Sequence, residues 1–168
     1  MLWRHDSRSA TRLAIVQGLY QIEISGQPCG AVIAQFLTHQ EGAIGVDEEA
    51  YDIDDELFAH IVAKVDQDHG SLDDHIATVL SREWSMDRLG ATMRALLRAA
   101  CYELVARSDV PARVVIKEYV DIARGFHSLE ETGFVNAALD RLARALRTQE
   151  MTSDRSEKDS EGNAAIGQ

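Results

Sequence analysis

The sequence contains few residues that break regular secondary structure. Only two of its 168 residues are proline and eleven are glycine, whereas 45% are hydrophobic. Architectures with many short strands need more tight turns than this composition supplies, so we expect long regular elements in one compact unit or two small ones. No apolar run approaches the roughly 20 residues that span a membrane. Residues 1–6 also lack the apolar stretch of a secretory signal, and we therefore expect a soluble, cytoplasmic protein that binds no membrane.

Patterns that carry catalysis or bind metals are also missing from the sequence. The two cysteines, Cys29 and Cys101, lie far apart, and we expect both to be reduced and buried. The six histidines include no His-x-x-x-His pair, and there is no glycine-rich phosphate-binding motif. The acidic run at 47–56 lacks the ligand spacing of a calcium loop. We predict no metal, no cofactor and no enzymatic activity.

Negative charge is abundant, but it is concentrated in one region. Between Glu41 and His75 the chain has twelve acidic residues and one basic residue, Lys64, which account for the whole net charge of −11. The remaining residues contain as many bases as acids, and acids exceed bases again after Arg147. Because local potential decides contact with a polyanion, the average charge does not exclude RNA binding. We expect any RNA site to avoid residues 41–75.

Apolar residues recur at intervals of three and four along most of the chain, which predicts amphipathic helices. The His-Gly pair at 69–70 indicates the end of one helix, and Ser71 with Asp74 has the pattern of a capping box that begins the next. Ser128 and Glu131 have the same pattern. Trp84 begins a turn or a single helical turn. The predicted helices are 9–25, 31–39, 54–68, 71–80, 91–107, 111–127 and 128–147.

These elements divide the chain into four predicted regions. Residues 1–8 form a basic N-terminal extension, 9–80 an N-terminal helical bundle and 81–147 a C-terminal helical bundle. Residues 148–168 are polar and aperiodic, so we predict a disordered tail. The fold class is all-α, with short connections that favour antiparallel neighbours.

Five blocks of the sequence resemble the NusB family of transcription antitermination factors, and they occur in the family's order. The resemblance implies two three-helix bundles packed together. It also implies that the protein binds the boxA segment of nascent single-stranded RNA together with the ribosomal protein NusE, close to NusA, NusG and RNA polymerase. A homodimer is compatible with the family. The blocks are RLAIVQGLYQ (12–21), LRAACYEL (97–104), RSDVP (107–111), VIKEYVDIA (115–123) and FVNAALD (134–140).

Basic residues at the N-terminus are the first candidates for RNA contact. Arg4, Arg8 and Arg12 are spaced four apart, so a helix would place them on one face, where guanidinium groups can bind phosphate. An ordinary solvated helix start explains the same spacing. The basic N-terminus of the NusB family favours RNA contact.

The resemblance also implies roles for residues elsewhere, each with an alternative. Phe134 has the spacing of a core residue, and Glu130 could serve only the helix N-terminus. Met93 stands where relatives often carry an acid, and Lys117 replaces a frequent asparagine. The second hypothesis is a protein-interaction module without RNA binding, which Met93, the acidic segment and the few basic residues of the N-terminus favour. The implied RNA-binding residues are Tyr20, Phe126, Glu130, Phe134 and Asn136, and the implied partner-binding residues are Tyr20, Asp87, Met93, Arg94 and Arg98.

Overall fold

The computed structural model describes residues 7–42 and 53–155, and every regular element in those ranges is helical. The predicted all-α class is confirmed. A 3-10 turn, Met86–Arg88, precedes the fourth α-helix. The α-helices are α1 (Ser7–Ser25), α2 (Cys29–Gly42), α3 (Asp55–Ala77), α4 (Ala91–Ala106), α5 (Ala112–Phe126) and α6 (Leu129–Leu146).

Helix α3 is longer than the sequence pattern predicts. It continues through Gly70 to Ala77, so the predicted stop at 69–70 and the predicted capping box at Ser71 are wrong. A glycine inside a helix costs about 1 kcal/mol relative to alanine. Leu72 and Ile76 are both buried on the stripe that α3 presents to the core, and burial of two such side chains outweighs that cost. Tertiary packing therefore overrides the local stop signal.

The core is centred on α4, whose inner face is buried along nearly its whole length. Helix α1 packs against both α3 and α4, and a side chain at Gly18 would bring a Cβ atom to 3.3 Å from the Phe58 ring. All six helices therefore contribute to one core, and the packing of α4 against α1 and α3 is at least as extensive as the packing within either predicted bundle. Cys101 is buried, Cys29 is partly buried, and both are free thiols. The boundary at 80/81 between the two predicted bundles stays a prediction.

The chain direction of the helices follows from contacts at the two ends of α4. Arg12 of α1 reaches Glu103 near the end of α4, whereas Glu23 reaches Arg94 near its start, so α1 and α4 are antiparallel. Short connections at 107–111 and 127–128 make α5 antiparallel to α4 and α6 antiparallel to α5. The ends of α1 and α5 and the starts of α4 and α6 therefore lie at the same end of the molecule.

The segment after α6 differs from the predicted disordered tail. Residues 148–155 are helical, and Met151 is buried against the core. Arg147 donates to the carbonyl oxygens of Glu103, Leu104 and Arg107, which anchors the start of this segment to the end of α4. The prediction is wrong for 148–155 because one buried methionine and one arginine fix an otherwise polar stretch. Residues 1–6 of the predicted extension, residues 43–52 of the acidic region and residues 156–168 of the predicted tail lie outside the described residues. Within the described ranges, no helix is long and apolar enough to cross a membrane.

Candidate RNA and partner interface

Exposed aromatic side chains lie at the end of the molecule where α1 and α5 finish. Tyr20 of α1 is 41% exposed and Phe126, the last residue of α5, is 51% exposed. Leu129, the first residue of α6, follows Phe126 closely in sequence and is almost fully exposed. Rings with this exposure can stack on unpaired nucleobases. The geometry therefore keeps both predicted aromatic contacts available to a ligand.

The turn between α5 and α6 is fixed by a complete capping box, as predicted. Ser128 Oγ accepts from the backbone N–H of Glu131 at 3.2 Å, and Glu131 Oε2 accepts from the N–H of Ser128 at 2.9 Å. The hydrogen bond from the Ser128 backbone is the main reason why the pKa of Glu131 is lowered. Because Glu131 performs the capping, the neighbouring Glu130 is left exposed and outside the cap. The turn thus presents Phe126 and Glu130 on a rigid support.

Phe134 lies one turn further along α6 and is only half-buried. Its ring stacks on Trp84 from the connection before α4, with 4.4 Å between ring centroids and 16° between ring planes. One face of Phe134 is therefore occupied within the protein, so the core alternative holds for that face. Sequence reasoning missed Trp84 as its partner, although a tryptophan in a polar connection was a usable signal. Asn136 is exposed on α6.

Arg12 does not lie on the surface, which corrects its assignment to RNA. It is 4% exposed, and its Nε and Nη2 donate to the two carboxylate oxygens of Glu103 at 2.8 and 3.0 Å. Glu103 is fully buried and also accepts from the Tyr119 hydroxyl at 2.6 Å. Burial and the charge of Glu103 raise the pKa of Tyr119 well above its ordinary value, so the phenol remains a donor. A phosphate cannot reach this guanidinium.

The other predicted N-terminal arginines have different outcomes. Arg8 is exposed, and the next residue, Ser9, donates to Glu118 of α5 at 2.6 Å. That contact sets the start of α1 beside the middle of α5, two helical turns before Phe126, which is roughly 12 Å along the axis. Arg8 therefore remains a candidate for contact with a phosphate that lies about two helical turns from the base at Phe126. Arg4 lies outside the described residues.

The five predicted partner-binding residues divide into two exposed side chains, Tyr20 and Asp87, one buried side chain and two paired ones. Asp87 is exposed on the 3-10 turn. Met93 is 2% exposed, so it packs in the core and cannot form part of a partner surface. Arg94 bonds Glu23 and the backbone carbonyl of Met86. These placements correct Met93 and leave Asp87 as a prediction.

Arg98 is held by a bidentate pair with Asp73 of α3, with both N–O distances at 2.7 Å, and lies 3.5 Å from Glu23 of α1. The hydrogen bond to Asp73 is the largest reason why the pKa of Arg98 is raised. Arg94 and Arg98 therefore neutralise acids of the same chain and join α1, α3 and α4. The two like charges of Arg94 and Arg98, one turn apart on α4, are therefore balanced within the chain and need no external anion. Residues 7–42 and 53–155 contain no group of three or more potential metal ligands.

The fold and this surface define an all-helical protein with exposed aromatic and polar side chains at one end of its helices. Residues 9–144 match the NusB family model. The chain belongs to the NusB family.

Similar proteins cover nearly the whole length of the chain. It is 45% identical over 146 residues to the transcription antitermination protein NusB of a Bradyrhizobium species, covering 87% of this chain and 86% of that protein. The corresponding protein of Maricaulis maris is 44% identical over 143 residues, covering 85% and 89%. The structure of T. maritima NusB matches with a TM-score of 0.69 at 29% identity, covering 82% and 90%. A crystal structure of NusB and NusE in complex with dsRNA shares the fold, with a TM-score of 0.67 at 23% identity and coverage of 83% and 97%.

Proposed function

We propose that this protein is a cytoplasmic transcription antitermination factor that binds boxA-type single-stranded RNA together with the ribosomal protein NusE. The complex would promote processive transcription of ribosomal RNA operons, with NusA, NusG and RNA polymerase as indirect partners. The 45% identity to a protein named for antitermination supports this role. The observation that carries the proposal is the rigid α5–α6 turn, which holds an exposed Phe126 next to an exposed Glu130.

The proposed mechanism is binding without chemistry. One or two unpaired bases stack on Phe126 and Tyr20, and Asn136 supplies a donor and an acceptor to base edges. Arg8 and Arg4 contact phosphate, and these contacts weaken as the salt concentration rises. Arg12 contributes indirectly, because its pair with Glu103 fixes α1 on α4. Asp87 and Tyr20 offer NusE an acidic and an aromatic contact, while Arg94 and Arg98 hold the helices beneath it. No step needs a metal or a cofactor.

The test compares two exposed apolar residues of the same helix. Loss of a stacking ring costs about 1–3 kcal/mol per base, so Phe126→Ala should weaken binding of boxA-like RNA by roughly 5- to 150-fold. Val114→Ala is the matched control, because Val114 is 42% exposed on α5 but lies near its start. Titrations by fluorescence anisotropy, with and without NusE and at two salt concentrations, measure both effects. Equal affinity of the two variants would remove the aromatic turn from the interface.

A protein-interaction module without RNA binding is the second candidate. The burial of Arg12 favours it, since one of three predicted phosphate contacts is unavailable. In that case the same titration would detect NusE binding and no RNA binding at any salt concentration. A homodimer that covers the aromatic turn would be distinguished by sedimentation, because RNA affinity would then fall as the dimer fraction rises.

A further inference from the structure

A groove of about 440 Å³ runs between the outer faces of α5 and α6. Three basic residues of α5, Arg113, Lys117 and Arg124, line it, and all three are exposed. Val120 lies at its floor and Asn136 of α6 on the opposite wall. The groove is thus a basic channel with an apolar base, and it shares Asn136 with the proposed RNA surface.

The acids of the groove do not balance its bases. Asp121 is the only acidic residue of α5 that lines it, and it is shared between Lys117 at 2.9 Å and Arg124 at 2.7 Å. Asp140 on the other wall is paired with Arg144 at 2.8 Å. Arg113 has its acidic partner outside the groove residues, in Asp154. The channel therefore keeps a positive excess that an anion can neutralise.

The segment at 148–155 leads the chain to one end of this groove. Glu150 accepts from the backbone N–H of Ala112 at 2.7 Å, at the start of α5. Within this segment, Met151 is buried and Asp154 forms an ion pair with Arg113. The segment is therefore docked on the protein, and its last residues lie at the groove mouth.

We infer that residues 156–168 continue from this point into the α5–α6 groove and occupy it within the same molecule. This stretch contains Glu157, Asp159 and Glu161 against a single base, Lys158, which complements the basic wall. From Arg113 to Arg124 the groove extends about 16 Å along the helix axis. Thirteen residues span up to about 43 Å when extended, so the stretch is long enough to follow the whole wall.

The covalent link between residues 156–168 and the docked segment favours ion pairs between these residues and the groove. Each exposed ion pair is weak by itself, but a short linker holds the acids at an effective concentration on the order of millimolar. High salt screens the attraction and releases the segment. Competition with RNA for the groove rests on the proposed function, because Asn136 belongs to both surfaces. Occupancy of the groove does not rest on it.

Amide chemical shifts of the full chain test the occupancy directly. Spectra of the native protein and of a Glu157→Gln/Asp159→Asn/Glu161→Gln variant should differ at α5 between Arg113 and Arg124 and at Asn136. High salt should move the native signals to the positions of the variant. Shift differences confined to residues 156–168, or located on another surface, would overturn the proposal.

A reciprocal variant and a dilution series complete the test. Lys117→Gln/Arg124→Gln should move the amide signals of residues 157–161, whereas Arg141→Gln, on α6 outside the groove lining, should not. Shift differences that vanish on dilution would show contact between molecules and contradict the intramolecular form. In an RNA titration at low salt, the triple variant should bind boxA-like RNA more tightly than the native chain. Absence of any RNA binding would refute the proposed function and leave the shift result valid.

Discussion

Two bidentate arginine pairs lie at opposite ends of α4, and one joins α4 to α1 while the other joins it to α3. At one end Arg12 pairs with Glu103, and the two side chains are 5% and 0% exposed. At the other end Arg98 pairs with Asp73 and approaches Glu23, with 19% and 27% exposure for the direct pair. The two pairs have the same chemistry and the same bidentate geometry, but they differ in exposure to solvent.

The difference in burial separates a structural role from an adaptable one. A buried charge depends on its partner, because no water can replace that partner. A partly exposed pair exchanges partners at a lower cost, since water and mobile side chains compensate. The Arg12 end of α4 is therefore fixed, whereas the Arg98 pair, which water reaches, can exchange partners.

The largest expected effect comes from the buried end. Arg12→Met leaves the Glu103 carboxylate buried without its bidentate partner, and loss of one member of a buried pair costs about 3–5 kcal/mol. Urea denaturation followed by circular dichroism measures the free energy of unfolding. Arg141→Met is the matched control, because an exposed arginine of α6 should change stability by less than about 0.5 kcal/mol. A loss below about 1 kcal/mol for Arg12→Met would show that the two ends are equivalent.

Loss of the partly exposed pair at the other end of α4 should lower the free energy of unfolding less. Arg98→Met removes a bidentate pair that water reaches, and we expect a loss of about 1 kcal/mol. A double-mutant cycle with Asp73→Asn isolates the pair, and the coupling should be of similar size. A coupling above about 3 kcal/mol would show that the Arg98–Asp73 pair contributes as much as the buried Arg12–Glu103 pair, which would contradict the expected effect of burial. Titration of NusE into Arg98→Met then measures whether the pair supports the proposed partner surface.

The same contrast shows how far sequence patterns reach. Periodicity predicted α4, α5 and α6 closely, and the capping box at Ser128 is confirmed, because those signals are local. The four-residue spacing predicted that Arg12 shares an accessible face of α1 with Arg8, and this prediction is wrong because Arg12 is buried. Which face is buried depends on Glu103, 91 residues away, and no local pattern contains that information.

The other differences have the same origin. Gly70 is a local stop signal, but the buried Leu72 and Ile76 beyond it keep α3 helical. Residues 148–155 are polar, yet Met151 finds a site in the core. Phe134 was predicted as a ligand contact or a core residue, and only its stacking on Trp84 shows that one face is internal. Long-range contacts decide in each case.

A third contact, more exposed than either arginine pair, gives the smallest effect and extends the comparison to the surface. Hydrogen bonds from Ser128 lower the pKa of Glu131 in the folded protein, so its carboxylate stabilises the fold above its unfolded pKa of about 4.3. That contribution is lost as the pH falls through the folded pKa. Glu131→Gln should therefore lower Tm slightly at pH 7 and leave it equal to that of the native protein at pH 2. Because Glu130→Gln lies outside the cap, it serves as the control, and an equal effect of both variants at pH 7 would show that general charge at the helix start, not the cap, is responsible.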